Sequence, residues 1–153
     1  MRRERERGGR GRRDGADLAP LRHLTAIEGK DSTDGCSLCL WDNANLVSVA
    51  ALGRRRGALP GGRFVHNHLK LAGLEGLEGL DGVGRSVNGR RVYIFNNDAL
   101  TSLRGLAGLR GALPGSLTVL DNGALPSLSG LDGVTGVGAQ DAWGYSLRTE
   151  GGL

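Results

Sequence analysis

The chain has 153 residues, a formal net charge of +4 and 28 glycines. Its length fits one domain with a modest core. The glycines do not recur in a strict triplet with proline, which excludes collagen, and the evenly spaced leucines argue against disorder throughout. No run approaches the roughly 20 apolar residues of a membrane-spanning helix, and the first residues lack the apolar segment of a secretory signal peptide.

The positive charge is concentrated at the N-terminus. Residues 1–14 carry seven arginines and three acidic residues, a net of +4, whereas the remaining 139 residues carry 13 basic and 13 acidic side chains. We predict a disordered Arg/Gly-rich tail over residues 1–17. Residues 1–14 resemble Arg-Gly segments that bind RNA through charge and stacking, although a merely solubilising terminus is the simpler alternative.

Four internal repeats follow the tail. They cover residues 37–49, 63–74, 92–103 and 117–128. The last apolar residue before a polar pair marks the same point in each repeat, at Leu40, Val65, Ile94 and Val119, with spacings of 25, 29 and 25 residues. The four extra residues fall around 86–89, and partial units open the array at Leu18, Leu21, Leu24 and Ile27 and close it at 143–147. Repeats of this length are typical of solenoids.

Each repeat has the same three parts. A short alternating run predicts a strand, a polar pair follows it, and apolar residues then recur at every third position. No single unit could bury its leucines alone, so stacked units would form a parallel sheet over a continuous core. We therefore predict a mainly β, leucine-rich β-solenoid over residues 18–147, with its parallel sheet on one face, and a C-terminal tail over residues 148–153.

The polar pairs predict turns. Asn and Asp side chains hydrogen-bond nearby backbone groups and can stack from coil to coil. The structural turn positions that we predict are Asn43, Asn67, Asn97 and Asn122.

Strand alternation also predicts which side chains point outward. One outward column contains Cys39, Phe64, Tyr93 and Thr118, and its neighbour contains Trp41, His66, Phe95 and Leu120. The candidate ligand-binding residues are Trp41, Phe64, His66, Tyr93 and Phe95. Apolar patches of this kind usually mark an interface, although a homodimer or a cover formed by the N-terminal segment would use the same face.

Other motifs carry little chemistry. In a regular strand Cys36 and Cys39 would face opposite sides, which weakens a zinc site with His66 and His68. No nucleophile with an oriented base and no phosphate-binding glycine loop is present. We expect no catalytic residues, no metal, no cofactor and no enzymatic activity. Residues 54–56, three arginines, predict a small basic spot on a loop between coils.

The pattern apolar-x-apolar-x-Asn-Asn-x-x-Leu over residues 92–100, repeated at 40–46 and 119–125, resembles the receptor L domain of the insulin and epidermal growth factor receptors. The resemblance implies a right-handed β-solenoid of about five coils, part of a receptor-like protein, that recognises a protein or peptide ligand. It also implies an extracellular or cell-surface location, although no disulfide framework or Asn-x-Ser/Thr glycosylation acceptor accompanies it.

The sequence thus predicts a non-catalytic recognition module. The alternative is an intracellular RNA-associated protein that binds through residues 1–14 and uses the solenoid as a scaffold. A third hypothesis is a homo-oligomer assembled through exposed coil ends. Salt dependence separates the first two, because phosphate binding weakens steeply with ionic strength.

Overall fold

The computed structural model describes residues 18–84, 89–138, 140, 144 and 146–150. Within them the chain forms a mainly β-solenoid of about four turns with a parallel sheet. The strands are β1 (Cys36–Trp41), β2 (Ala58–Leu59), β3 (Gly62–His66), β4 (Gly82–Val83), β5 (Arg90–Phe95), β6 (Gly111–Leu113), β7 (Ser116–Leu120), β8 (Val134–Val137) and β9 (Leu147–Glu150). Short 3₁₀ helices cover Ala19–Leu21, Ala50–Leu52 and Arg104–Leu106. The predicted mainly β-solenoid with a parallel sheet is confirmed.

Five strands form the main sheet, in the order β1-β3-β5-β7-β9, and every pair in it is parallel. Two smaller parallel pairs, β2-β4 and β6-β8, lie on the return path of the chain. The register places Leu40 opposite Val65, Val65 opposite Ile94, and Ile94 opposite Val119. The repeat alignment predicted from the sequence is therefore the register of the sheet.

The core is built from the apolar residues at every third position. The third repeat places Leu100, Leu103, Leu106 and Leu109 at 0 % exposure. The second does the same with Leu71, Leu74 and Leu77, and these residues join one cluster with the inward strand residues. Each turn therefore contributes one layer of leucines to a continuous core, the arrangement by which stacked repeats stabilise one another.

The two ends differ from the predicted partial units. Leu18 and Ile27 pack against the core, whereas Leu21 and Leu24 are 44 % and 38 % exposed. Only part of the apolar pattern of the opening segment is therefore buried. At the other end β9 extends to Glu150, beyond the predicted solenoid boundary at residue 147.

Several predictions concern residues outside the described ranges. These are the tail 1–17, residues 86–88 of the insertion around 86–89, residues 143 and 145 of the closing unit at 143–147, and residues 151–153 of the C-terminal tail. Within the described chain, no helix has the length and apolar character that crossing a membrane requires.

Candidate recognition face

The outward columns predicted from alternation are register columns of the sheet. Cys39 pairs with Phe64, Phe64 with Tyr93, and Tyr93 with Thr118. The second column, Trp41, His66, Phe95 and Leu120, is paired in the same way. Side chains in one column of a parallel sheet lie on one face and are close enough to interact across strands.

Two bulges change which residues share this face. Cys36 pairs with Gly62 and Leu38 pairs with Arg63, so Ser37 is an extra residue in β1. One extra residue shifts the alternation by one place. Cys36 therefore lies on the same face as Cys39, and the two form a disulfide. The expectation that these cysteines face opposite sides was wrong, because strict alternation does not allow for a bulge.

The second bulge lies in β5. Arg90 pairs with Ser116 and Val92 pairs with Leu117, which leaves Arg91 as the extra residue. Arg90 is thereby placed on the face of Tyr93, and its guanidinium carbon lies 4.1 Å from the centre of the Tyr93 ring. A cation over an aromatic face is attracted by the ring quadrupole. Strict alternation would place Arg90 on the face opposite Tyr93, so its position here depends on the bulge.

The five predicted ligand-binding residues form one cluster of rings across three strands. Trp41 and His66 have ring centres 5.5 Å apart, and His66 and Tyr93 have centres 5.9 Å apart. Tyr93 lies 5.7 Å from Phe95 and 6.1 Å from Phe64. These separations are in the range of favourable aromatic pairs. We call Trp41, Phe64, His66, Tyr93 and Phe95 the aromatic cluster.

The members of the aromatic cluster differ in exposure. Trp41 is 41 % exposed, and His66, Tyr93 and Phe95 are half-buried. Phe64 is only 3 % exposed, which corrects its prediction as a surface contact. Its ring lies over Gly62, where an added Cβ would come within 2.7 Å of the ring, and packs edge-on against Tyr93. Phe64 is thus a buried packing neighbour of Tyr93 within the cluster.

The His66 imidazole is uncharged at physiological pH. Burial lowers its pKa, and His68 and Arg90 act in the same direction. The carboxylate of Asp42 and a hydrogen bond with Asn67 oppose that shift. A neutral imidazole can pack against neighbouring rings without the cost of desolvating a charge.

The first residues of the polar pairs form an outer ladder. Asp42, Asn67, Asn96 and Asp121 have φ angles of 55°, 61°, 53° and 50°. Asn and Asp adopt this left-handed conformation more readily than most residues. Asn67 Nδ2 donates to Asp42 Oδ1 at 2.7 Å, and Asn96 Nδ2 donates to Asn67 Oδ1 at 3.0 Å. Asn67 therefore belongs to this ladder.

The second residues of the pairs form an inner ladder, which contains Asn43, His68, Asn97 and Asn122. Asn97 Nδ2 donates to Asn122 Oδ1 at 3.0 Å and to the Val65 carbonyl at 3.2 Å. The His68 backbone N–H donates to Asn97 Oδ1 at 3.3 Å. Asn97 and Asn122 are 0 % and 1 % exposed, so these bonds satisfy buried polar groups at the ends of the strands.

Buried arginines were not anticipated. Arg54 and Arg56 are exposed, but Arg55 is 1 % exposed, so the loop of three arginines is not a uniform basic surface. Arg63 is 0 % exposed because its inward strand position pairs with Leu38 and Val92. Strand alternation places residue 63 inward, where the other repeats have an apolar residue and this one has an arginine.

The described part of the chain contains no group of three or more His, Cys, Asp or Glu side chains placed to hold a metal ion. The aromatic cluster can stack against other rings, exclude water and bind apolar side chains, and Arg90 adds a cation beside it. No family model, no curated protein and no solved structure matches this chain.

Proposed function

We propose that this protein is a non-catalytic recognition module that binds an extended peptide segment, free or within a protein, through the aromatic cluster. One observation carries the proposal. Trp41, His66, Tyr93 and Phe95 form a continuous path of ring contacts on a face where Trp41 remains 41 % exposed. Partly exposed aromatic side chains with polar surroundings are the usual anchors of protein interfaces.

The rigidity of the face supports recognition. The strands that carry the rings end in the outer and inner ladders, and the buried Phe64 packs edge-on against Tyr93. Side chains that are already held in place lose little conformational freedom when a ligand binds. An apolar side chain of the peptide would lie against Trp41, with Tyr93 and Phe95 along its path.

The finer description of the fold belongs to this proposal. We propose that the chain is a leucine-rich solenoid of about five coils that resembles the receptor L domain. The polar pairs after the strands and the buried leucines at every third position support this assignment. We also assign the right-handed sense, because connections between parallel strands of one sheet are right-handed in about 98 % of cases.

The proposal can be tested with a random peptide library presented to the full chain. Peptides that bind are then measured by calorimetry against the wild type, Trp41→Ala and Leu69→Ala. Leu69 is the matched control, because it is 56 % exposed and lies beyond β3 and outside the cluster. Trp41→Ala should cost about 2 kcal/mol of binding free energy, which lowers the affinity about thirtyfold. Leu69→Ala should change the affinity little.

Circular dichroism would first establish that both variants fold. Selected peptides that bind Trp41→Ala as tightly as the wild type would contradict the proposed face. RNA binding that weakens steeply with salt and is lost when residues 1–14 are removed would instead favour nucleic-acid recognition through that segment.

A further inference from the structure

A cavity of about 370 Å³ lies between the opening segment of the chain and the turn that precedes β3. Six of its wall residues are apolar: Ala26, Ile27, Ala58, Leu59, Pro60 and Leu80. The others are Glu28, Arg55 and Arg56. A volume of this size, apolar walls and few charged groups are typical of sites for small molecules. The cavity shares no residue with the aromatic cluster.

Arg55 provides the polar end of the cavity. It is 1 % exposed, and its Nη2 donates to the Leu21 carbonyl at 3.2 Å. Its Nε and Nη1 atoms are buried and have no acceptor among the described residues. A guanidinium has five N–H donors in a planar arrangement that matches a carboxylate, so most of this binding capacity is unused.

A second guanidinium lies behind the cavity wall. Arg63 is 0 % exposed, and its Nη2 donates at 3.0 Å to the carbonyl of Leu80, a wall residue. Its Nε and Nη1 also have no acceptor within the described chain. Two buried cations therefore lie close to one apolar space, and their combined field favours an anion there.

These charges persist at neutral pH. Burial lowers the pKa of Arg63 to about 10, which leaves the side chain protonated at pH 7. A buried ion without a partner carries a desolvation penalty of several kcal/mol. An anion with good hydrogen-bond geometry would offset that penalty, so the donors of Arg55 are suited to bind one.

We propose that the cavity binds a small monocarboxylate with an apolar body, whose carboxylate pairs with Arg55. The apolar walls would hold the hydrocarbon part. Glu28, an exposed wall residue, disfavours a doubly charged group such as phosphate by repulsion. Ala26, Ala58 and Pro60 are exposed wall residues, so a ligand can enter the cavity from solvent.

The test uses the full chain and three probes: octanoate, octan-1-ol and inorganic phosphate. Calorimetry should show binding of octanoate in preference to the uncharged alcohol and to phosphate. Arg55→Met keeps most of the side-chain volume and removes the charge. Loss of charge-assisted hydrogen bonds should weaken octanoate binding about tenfold or more, whereas Arg56→Met, at an exposed wall position, should retain wild-type binding.

Removing an unpaired buried charge should not by itself unfold the chain. If Arg55→Met fails to fold, Arg55→Lys serves in its place, because it keeps the charge but loses the planar donor geometry, and it too should bind octanoate more weakly. Unchanged binding in whichever variant folds, equal binding of octan-1-ol, or no binding of octanoate to the wild type would each overturn the proposal. Binding only after Glu4→Gln, Glu6→Gln and Asp14→Asn are combined would also overturn it, assigning the site to the chain's own carboxylates.

Discussion

The side-chain amide of Asn97 donates to the side-chain oxygen of Asn122 on the next turn, at 3.0 Å, and both residues are buried. Asn122 Nδ2 in turn donates to the carbonyls of Ile94 and Leu120, at 3.3 and 2.7 Å. The inner ladder thus connects the ends of β1, β3, β5 and β7. A buried polar network that is fully satisfied rigidifies the fold, whereas a buried group left without a partner is costly.

Asn97→Ala should destabilise the protein by about 3 kcal/mol, because it removes the acceptor of the buried His68 N–H and the side-chain donor to the Val65 carbonyl. It also removes one of the two donors to Asn122 Oδ1, which keeps its bond from the backbone N–H of residue 97. Urea unfolding followed by circular dichroism measures this change. Asn45→Ala is the control: Asn45 is exposed, bonds to Lys70 across turns, and should change stability by less than about 0.5 kcal/mol. Equal stability of Asn97→Ala and wild type would show that the inner ladder contributes little.

The left-handed conformation of the outer ladder predicts a contrast between two substitutions at Asn96. Its φ angle is 53°. Asn96→Val places a β-branched residue in this region and should cost about 1–3 kcal/mol in backbone strain, beyond the lost hydrogen bond to Asn67. Asn96→Gly loses the same hydrogen bond without strain. Asn96→Gly should therefore have a higher melting temperature than Asn96→Val. The reverse order would contradict the left-handed backbone conformation at Asn96.

Because the turns stack closely, any side chain at Gly105 should destabilise the fold. A Cβ at this position would clash with the backbone carbonyl of Leu74 on the preceding turn. Gly105→Ala should lower the free energy of unfolding by about 1–3 kcal/mol, as overpacking does. Gly123→Ala is the matched control, since an added Cβ there meets nothing within 4 Å, and its stability should change by less than about 1 kcal/mol. Similar melting temperatures for the two variants would argue against this stacking.

The buried His68 makes stability depend on pH. Burial lowers its pKa below the ordinary value of 6.5, although its bonds to the Asn43 and Leu40 backbone oppose the shift. As the pH falls through 6.5 the unfolded chain binds more protons than the folded chain, so the free energy of unfolding decreases. His66 adds a change of the same sign. The stability contributed by both histidines is present above this pH and lost below it.

His68→Asn tests that dependence, because asparagine occupies the matching position in the other three repeats. Unfolding by urea at several pH values between pH 8 and pH 5 should show a smaller loss of stability in His68→Asn than in the wild type. His66 should account for the part that remains. An identical pH dependence in the two proteins would show that His68 is not the group responsible.

The repeat spacing was sufficient to predict the register of the main sheet, because the same apolar pattern recurs with an identifiable insertion. The bulges at Ser37 and Arg91 could not be predicted, since one extra residue leaves no mark in an alternating pattern. The disulfide of Cys36 and the position of Arg90 depend on those bulges. The burial of Phe64 depends on packing with Gly62 and Tyr93, which single-strand alternation does not contain.

The charged groups show a further limit of sequence reasoning. Arg63 occupies a position that holds Leu38 and Val92 in the adjoining strands, so the repeat pattern predicts an apolar residue there. Arg55 lies between two exposed arginines and has no feature of its own in the sequence. Arg55 is bonded to the Leu21 carbonyl of the opening segment, a tertiary contact that no local pattern encodes.

The most direct test of the recognition face is to locate a selected peptide on the full chain by nitrogen–proton correlation NMR. Spectra with and without the peptide should differ most at the Trp41 indole and at the backbone of His66, Tyr93 and Phe95, with little change at Leu69. Shifts concentrated in residues 1–14, or on the leucine-rich turns away from β1, β3 and β5, would contradict recognition through the aromatic cluster.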